Sequence, residues 1–191
     1  MRPRGVDWAT MAGMASVGTP DRNSGWLSEE ELADIRRRLP LVYVEAVPVR
    51  VDGLGRVTEV GLLLRATEGV MTRTIVSGRV MHGESLRDAL YRHLEKDLGP
   101  MAFPLLPASP VPFSVAEYFP FPGAQYTDDR QHAVSLAYVV PVTGTCDPRQ
   151  DALELTWMTP MEAASPSIAA DMEGGRGALV RAGLASVGAL Y

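Results

Sequence analysis

Hydrophobic and polar positions change period several times along the chain. Ser28-Glu29-Glu30-Glu31 reads as a capping box, with Leu27 and Leu32 forming a hydrophobic staple across it. The pattern predicts a helix from Glu29 to Leu39 that buries Leu32, Ile35 and Leu39 and stops at Pro40. Leu41 to Asp52 is rich in β-branched residues, Gly53 to Gly55 makes a turn, and Arg56 to Ala66 returns as a second strand. A third strand is predicted over Thr72 to Val80. From Glu84 to Leu98 the period becomes helical, with Leu86, Leu90, Leu94 and Leu98 four apart, and Gly99-Pro100 ends that helix. Seven prolines between Pro100 and Pro122 predict a stiff loop carrying an edge strand at Val115 to Phe121. Strands follow at Gln131 to Thr143 and Ala152 to Met158, then a helical turn at Pro160 to Ala164 and a closing helix at Arg176 to Leu190. Helix, strands, helix, strands, helix describes a mixed α/β or α+β layered domain without internal repeats.

The predicted organisation is a loosely ordered tail at residues 1–25, an N-terminal helix at 26–40 and one domain at 41–191. At 191 residues and 46% apolar content the chain can bury a sizeable core, which excludes fibrous and wholly disordered readings. Twenty-three acidic residues against 18 basic ones give a net charge of −5. That balance does not favour non-specific nucleic-acid binding. No apolar run approaches the roughly 18 residues of a membrane span. Asp7, Thr10, Gly13 and Ser16 interrupt what would have to be the apolar core of a signal peptide. Cys146 is the only cysteine and cannot form an internal disulfide, so a cytoplasmic setting is expected. Seventeen of the basic residues are arginine, and the one lysine is Lys96.

The segment Gly78 to Pro100 (GRVMHGESLRDALYRHLEKDLGP) carries the candidate chemistry. It resembles the Nudix box: Gly, five residues, Glu, seven residues, then Arg-Glu-aliphatic-any-Glu-Glu-any-Gly-aliphatic. Gly78, Glu84, Arg92, Leu94 and Gly99 fall on matching positions without gaps, and Asp97 replaces the last Glu conservatively. His93 and Lys96 stand where the pattern has glutamates, and Pro100 where it has an aliphatic residue. The order of elements around the box and the closing Glu154-Leu-Thr-Trp157-Met-Thr-Pro160-Met-Glu162 are also similar to Nudix domains, so the resemblance covers residues 41–165. It implies a Nudix-like α/β/α sandwich with a mixed sheet, here with an N-terminal helical extension.

In such a box, carboxylates at i, i+3 and i+4 share one helix face and jointly hold Mg²⁺ or Mn²⁺. The metals neutralise a diphosphate and activate the water that cleaves it. In this chain those positions read His93, Lys96 and Asp97. A helical wheel puts Asp97 on the apolar side, His93 just outside it and Lys96 at the rim. Protonated lysine does not ligate a metal, so Lys96 counts against the usual metal site. Its ammonium either pairs with Asp97, or meets a bound phosphate, or belongs to a salt-bridged relic.

Asp97, His93, Lys96 and Glu84 are therefore the candidate catalytic residues, and Gly78, Arg92 and Lys96 the candidate ligand-binding ones. Asp97, with Glu117 from outside the box, is the candidate metal pair. Glu84 and Arg92, two helical turns apart, also suit a structural ion pair bracing the loop, and His93 suits a pair with Asp97. Asp128 and Asp129 are further acids, and Tyr118, Phe119, Phe121 and Tyr126 an aromatic cluster suited to base stacking or to packing. The resemblance implies a protein that hydrolyses or binds a nucleoside diphosphate derivative, with Mg²⁺ or Mn²⁺ if it is active. A catalytically silent module that senses nucleotides or mediates protein contacts is the alternative. The expected partner is a phosphorylated, nucleotide-like small molecule, with neither nucleic acid nor membrane, and a homodimer is left open.

Overall fold

Strand β1 (Leu41–Val51) organises the sheet because its side chains are apolar toward both layers and its backbone finds partners on both edges. The computed structural model describes residues 26–67, 69–148 and 152–190, so the tail expected at 1–25 lies outside the described residues. A turn in which the Asp52 carboxylate accepts from the Leu54 and Arg56 amides leads into β2 (Val57–Thr67). Next come β3 (Val70–Thr74), β4 (Val76–Arg79) and helix α2 (Leu86–Leu98). Strands β5 (Ala102–Pro104), β6 (Ser114–Phe119), β7 (Tyr126–Thr127), β8 (Ala133–Gly144) and β9 (Ala152–Met158) follow. Helix α1 (Glu29–Arg38) precedes this sheet, and α3 (Pro160–Ala163), α4 (Pro166–Ala170) and α5 (Arg176–Ser186) close the chain.

The sheet runs β3-β2-β1-β8-β6-β7, with β4 also on β1, β9 on β2 and β5 on β8. It is mixed: β1 and β8 are parallel, from Leu41 opposite Ala133 to Val49 opposite Pro141, while β1–β2 and β1–β4 are antiparallel. Near Val49 the sheet forks. The C-terminal end of β1 pairs with β2, whereas its N-terminal half, Tyr43 to Ala46, pairs with β4. The rest of β2 pairs instead with β3 and β9.

Two apolar layers flank the sheet. On one face Val47, Val49, Leu62, Ile75 and Tyr118 pack under Leu179, Val180 and Leu184 of α5. On the other, Val44, Ala46, Leu63 and Val76 pack under Ala89, Leu90, Leu94 and Leu98 of α2. Each fully buried leucine contributes about 1.5–3 kcal/mol, so the four-residue leucine spacing of α2 anchors the box helix firmly. The architecture is the α/β/α sandwich with a mixed sheet that the sequence predicts. Among the described residues no helix is long and apolar enough to cross a membrane.

Several local expectations change. Helix α1 has its capping box but buries no residue; Leu39 is the extended cap and is 61% exposed. The Arg36 side chain instead ties this helix to Gln131 at 2.9 Å. The third strand divides at Ile75, because β3 belongs to β2 and β4 to β1 on the two arms of the fork. The box helix starts at Leu86, since the Ser85 hydroxyl accepts from the Asp88 amide as its N-cap. Strand β6 pairs with β8 over Ser114–Tyr118, and the two-residue β7 covers its outer edge only at Tyr118 and Phe119. Helix α5 ends at Ser186, two residues before Gly188 takes a positive φ of 68°. Strands β5 and β7 and helix α4 have no counterpart in the predicted pattern.

Candidate functional site

Loop 80–85 joins β4 to α2, and its shape is held from the helix. Arg92 donates from Nε and Nη2 to the two carboxylate oxygens of Glu84, both at 2.7 Å, and from Nη2 to the Arg79 carbonyl at 2.9 Å. Glu84 also accepts from the Met81 amide at 2.9 Å. Burial acts to raise the Glu84 pKa, but the Arg92 hydrogen bonds and charge and the Met81 amide outweigh it and hold the carboxyl below its ordinary value. Glu84 and Arg92 are thus engaged with each other, as the structural alternative predicts.

His93 lies under the loop. Its Nε2 meets the Arg79 carbonyl at 3.0 Å, which makes Nε2 the protonated nitrogen and leaves Nδ1 buried without a partner among the described residues. Burial pushes its pKa down to about 4, helped by the charges of Arg92 and Lys96, so the ring is neutral at pH 7. The expected His93–Asp97 pair does not form, because the ring turns toward β4. Gly78 makes this possible: a Cβ at that position would overlap the His93 ring. The role of Gly78 in this structure is to admit the ring, and it does not line the cavity described below.

Asp97 is 1% exposed, and its Oδ2 accepts from Arg65 Nη2 at 2.9 Å. Arg65, on β2, and half-buried Lys96 line a cavity of about 640 Å³ at the fork in the sheet. Tyr43 of β1 and Ser77 of β4 line its middle. Its far wall comes from Thr127 to Arg130 and from Glu173, Gly174 and Arg176. The volume falls within the usual range of small-molecule sites, about 300–1,000 Å³. Asp128 is bidentate to Arg130, at 2.9 Å on each side, and accepts from Gln131. Burial opposes that charge, but the Arg130 and Gln131 hydrogen bonds keep the Asp128 carboxyl below its ordinary range.

Glu117, expected as a second metal ligand, sits elsewhere. Its carboxylate is 59% exposed, 3.8 Å from His132, on the face of β6 opposite buried Ala116 and Tyr118. Strand alternation separates it from those inward neighbours, and it does not line the cavity. Asp128 and Asp129 do reach the cavity, and His82 is exposed on the loop. The aromatic cluster divides. Tyr118 is core, Tyr126 packs on it with centroids 5.4 Å apart, and Phe119 stacks on Phe121 and His132 outside. Burial raises the Cys146 thiol above its ordinary pKa despite nearby Arg50.

The residues do not suit a Mg²⁺ or Mn²⁺ cluster. Position 96 brings a cation, position 93 an imidazole bonded to the loop, and the Asp97 carboxylate is ion-paired and covered. No group of three His, Cys, Asp or Glu side chains among the described residues is placed to hold a metal ion. Sequence reasoning missed Arg65, Arg176 and Glu45. The available signal was a lone charge inside an apolar strand, LVYVEAVPV for Glu45 and VGLLLRA for Arg65, because a charge in that setting must find a partner.

A mixed sheet between two helix layers, with a box helix braced to its loop by a Glu–Arg pair, defines the class. The fold is similar to that of a NUDIX hydrolase from Nitrosomonas europaea, at 15% identity and a TM-score of 0.58, covering 80% of this chain and 93% of that one. It is also similar to the NUDIX domain of Shewanella oneidensis NrtR in complex with ADP ribose, at 15% identity and 0.51, covering 82% and 96%. A nearer relative is described as a possible asymmetric diadenosine tetraphosphate hydrolase from Jonesia denitrificans. It shares 64% identity with a TM-score of 0.78, covering 81% of this chain and 98% of that one. The chain belongs to the Nudix superfamily. The family model that matches it, over residues 22–189, is the domain of unknown function DUF4916. No curated protein matches the chain.

Proposed function

We propose that this Nudix-fold protein binds a nucleoside diphosphate derivative in the cavity at the fork, with the phosphate charge met by fixed cations where the superfamily pattern has metal-binding glutamates. The observation that carries this reading is the pairing of buried Asp97 with Arg65 beside Lys96, both cations lining the cavity. A carboxylate behind a guanidinium fixes its planar fork, and such forks recognise phosphate oxygens directly. Lys96 adds a compact positive charge at the same wall. In this reading Lys96 is the principal ligand-binding residue of the box, while Glu84, Arg92, Gly78 and His93 shape the loop.

Pyrophosphate-bond hydrolysis is the second reading, favoured by the description of the relative that is 64% identical. Titration calorimetry of the full chain with ADP-ribose, once in EDTA and once with excess Mg²⁺, separates the two. Fixed-cation binding gives the same affinity in both buffers and an intact ligand afterwards. Binding that needs Mg²⁺, or absence of binding in either buffer, would sink it. Product formation from ADP-ribose or diadenosine tetraphosphate in the Mg²⁺ arm selects hydrolysis.

A further inference from the structure

Arg65 and Asp97 have a counterpart across the cavity. Glu45 lies at the middle of β1 and is 1% exposed. Its Oε1 accepts from Arg176 Nε at 2.7 Å and its Oε2 from the Tyr118 hydroxyl at 2.9 Å. The Arg176 guanidinium also stands over the Tyr118 ring, 4.9 Å from its centroid. Nη1 of Arg176 lies 3.5 Å from the Glu173 carbonyl and 3.6 Å from the Glu173 carboxylate, and the hydrogen bonds of this guanidinium among the described residues are made by Nε and Nη1. Arg176 nevertheless lines the cavity. Gly174 and Gly175, at φ of 63° and 83°, bend the chain just before α5, and a Cβ on Gly174 would press against Arg176 Nη1 and the Thr127 carbonyl.

This is more than a brace requires. A buried ion pair gains little over apolar side chains of the same volume, because desolvating two charges offsets their attraction. Here a carboxylate and a phenol at the floor of the sheet hold one guanidinium rigid, with Glu173 beside its Nη1 and Nη2 left without a protein hydrogen bond among the described residues, in a residue that lines the cavity. The same construction, a buried carboxylate behind a cavity-lining arginine, occurs at Arg65–Asp97. The two lie in opposite layers: Asp97 on α2, and Arg176 at the start of α5. Between them the fork offers the half-buried side chains of Tyr43 and Ser77.

We propose that Arg176, positioned by Glu45 and Tyr118, is a second anion-binding arginine, so that the site takes a phosphate chain longer than a diphosphate, spanning from Lys96–Arg65 to Arg176. This rests on the phosphate-binding reading above and adds the length of the chain. Arg176 contacts the ligand; Glu45 and Tyr118 act through it.

The test is titration calorimetry of the full chain in EDTA with inorganic pyrophosphate and inorganic tripolyphosphate. Wild type is expected to bind tripolyphosphate about tenfold more tightly than pyrophosphate. Arg176→Lys keeps a cation for Glu45 but loses the fork, and it should bring that ratio to about one while pyrophosphate affinity stays within about twofold. The double variant Arg176→Gln with Glu45→Gln removes both charges together and should behave alike, which covers the case in which the single change disturbs folding. Tyr118→Phe, which frees the carboxylate from one donor, should lower the ratio in part. Equal affinity for the two chains in wild type, or an undiminished ratio in both Arg176 variants, overturns this proposal and leaves the phosphate-binding reading intact. Absence of binding to either chain overturns both.

Discussion

Acidification should weaken the box helix through His93, and by a calculable amount. Its imidazole titrates at about 4 in the folded protein against 6.5 as the ordinary value, first because burial disfavours the charged ring and then because Arg92 and Lys96 stand near it. The unfolded chain therefore binds a proton between pH 6.5 and 4 that the native one refuses, and stability falls as the pH drops through that window. At about 1.4 kcal/mol per pH unit the full effect is about 3 kcal/mol, complete near pH 4 and absent above about pH 7. Other groups lose stability in acid too, among them Glu84 and Asp128, whose carboxyls are held low by arginines. Comparison with His93→Gln removes them, because glutamine can still donate to the Arg79 carbonyl and does not titrate. Urea unfolding of both proteins at pH 7.5, 6.5, 5.5 and 4.5 gives the difference directly. The wild-type advantage should shrink by about 2–3 kcal/mol across that series, with most of the loss below pH 6. Parallel stability curves would refute the reasoning and mean that the ring takes up its proton in the folded state.

Three other changes bear on the site. Asp97→Leu leaves the Arg65 guanidinium without its buried carboxylate and should cost about 3 kcal/mol in urea unfolding; adding Arg65→Met should restore most of it, since both charges are then gone. Lys96→Glu should weaken ADP-ribose binding about 10- to 100-fold in calorimetry, equivalent to about 1.4–2.8 kcal/mol, with thermal stability within a few degrees of wild type. Gly78→Ala should lower stability by about 1–3 kcal/mol because the new methyl overlaps the His93 ring, and His93→Ala should relieve part of that loss in a double-mutant cycle. Purely additive effects at Gly78 and His93 would mean that the ring does not occupy the space the glycine leaves.

What could be read in advance was whatever depends on local pattern. The apolar spacing of Leu86, Leu90, Leu94 and Leu98 marked the box helix, and all but Leu86 are fully buried under the sheet. The Glu84–Arg92 pair was legible from the spacing of the box, although Glu84 sits in the loop just before the Ser85 N-cap and only Arg92 lies on the helix. Partnerships across the chain were not legible. Arg65 meets Asp97 across 32 positions, and Arg176 meets Glu45 across 131, with nothing near either residue to name its partner. The division of the third strand at Ile75 was equally hidden, because its cause is the fork, a property of how β1 and β2 part and not of the strand's own residues.

Lys96 illustrates how such long-range pairing alters the meaning of a local substitution. On the helical wheel it stands beside Asp97, and glutamate at position 96 would suffice to rebuild a two-carboxylate face. In the folded protein it would not, because Asp97 is covered and bound to Arg65 from β2, a strand on the far side of the fork. A divalent ion offered the Lys96→Glu protein would meet one new carboxylate, the Arg65 cation and an occupied Asp97. Rebuilding the face takes a second change at Arg65, to a neutral side chain such as glutamine, so that the Asp97 carboxylate is released toward the cavity. Mn²⁺ titration should then detect binding in Lys96→Glu with Arg65→Gln and none in Lys96→Glu alone. Equal binding by the two variants would show that Arg65 does not control Asp97, and with it would fall the reading of this cavity as a site of fixed cations.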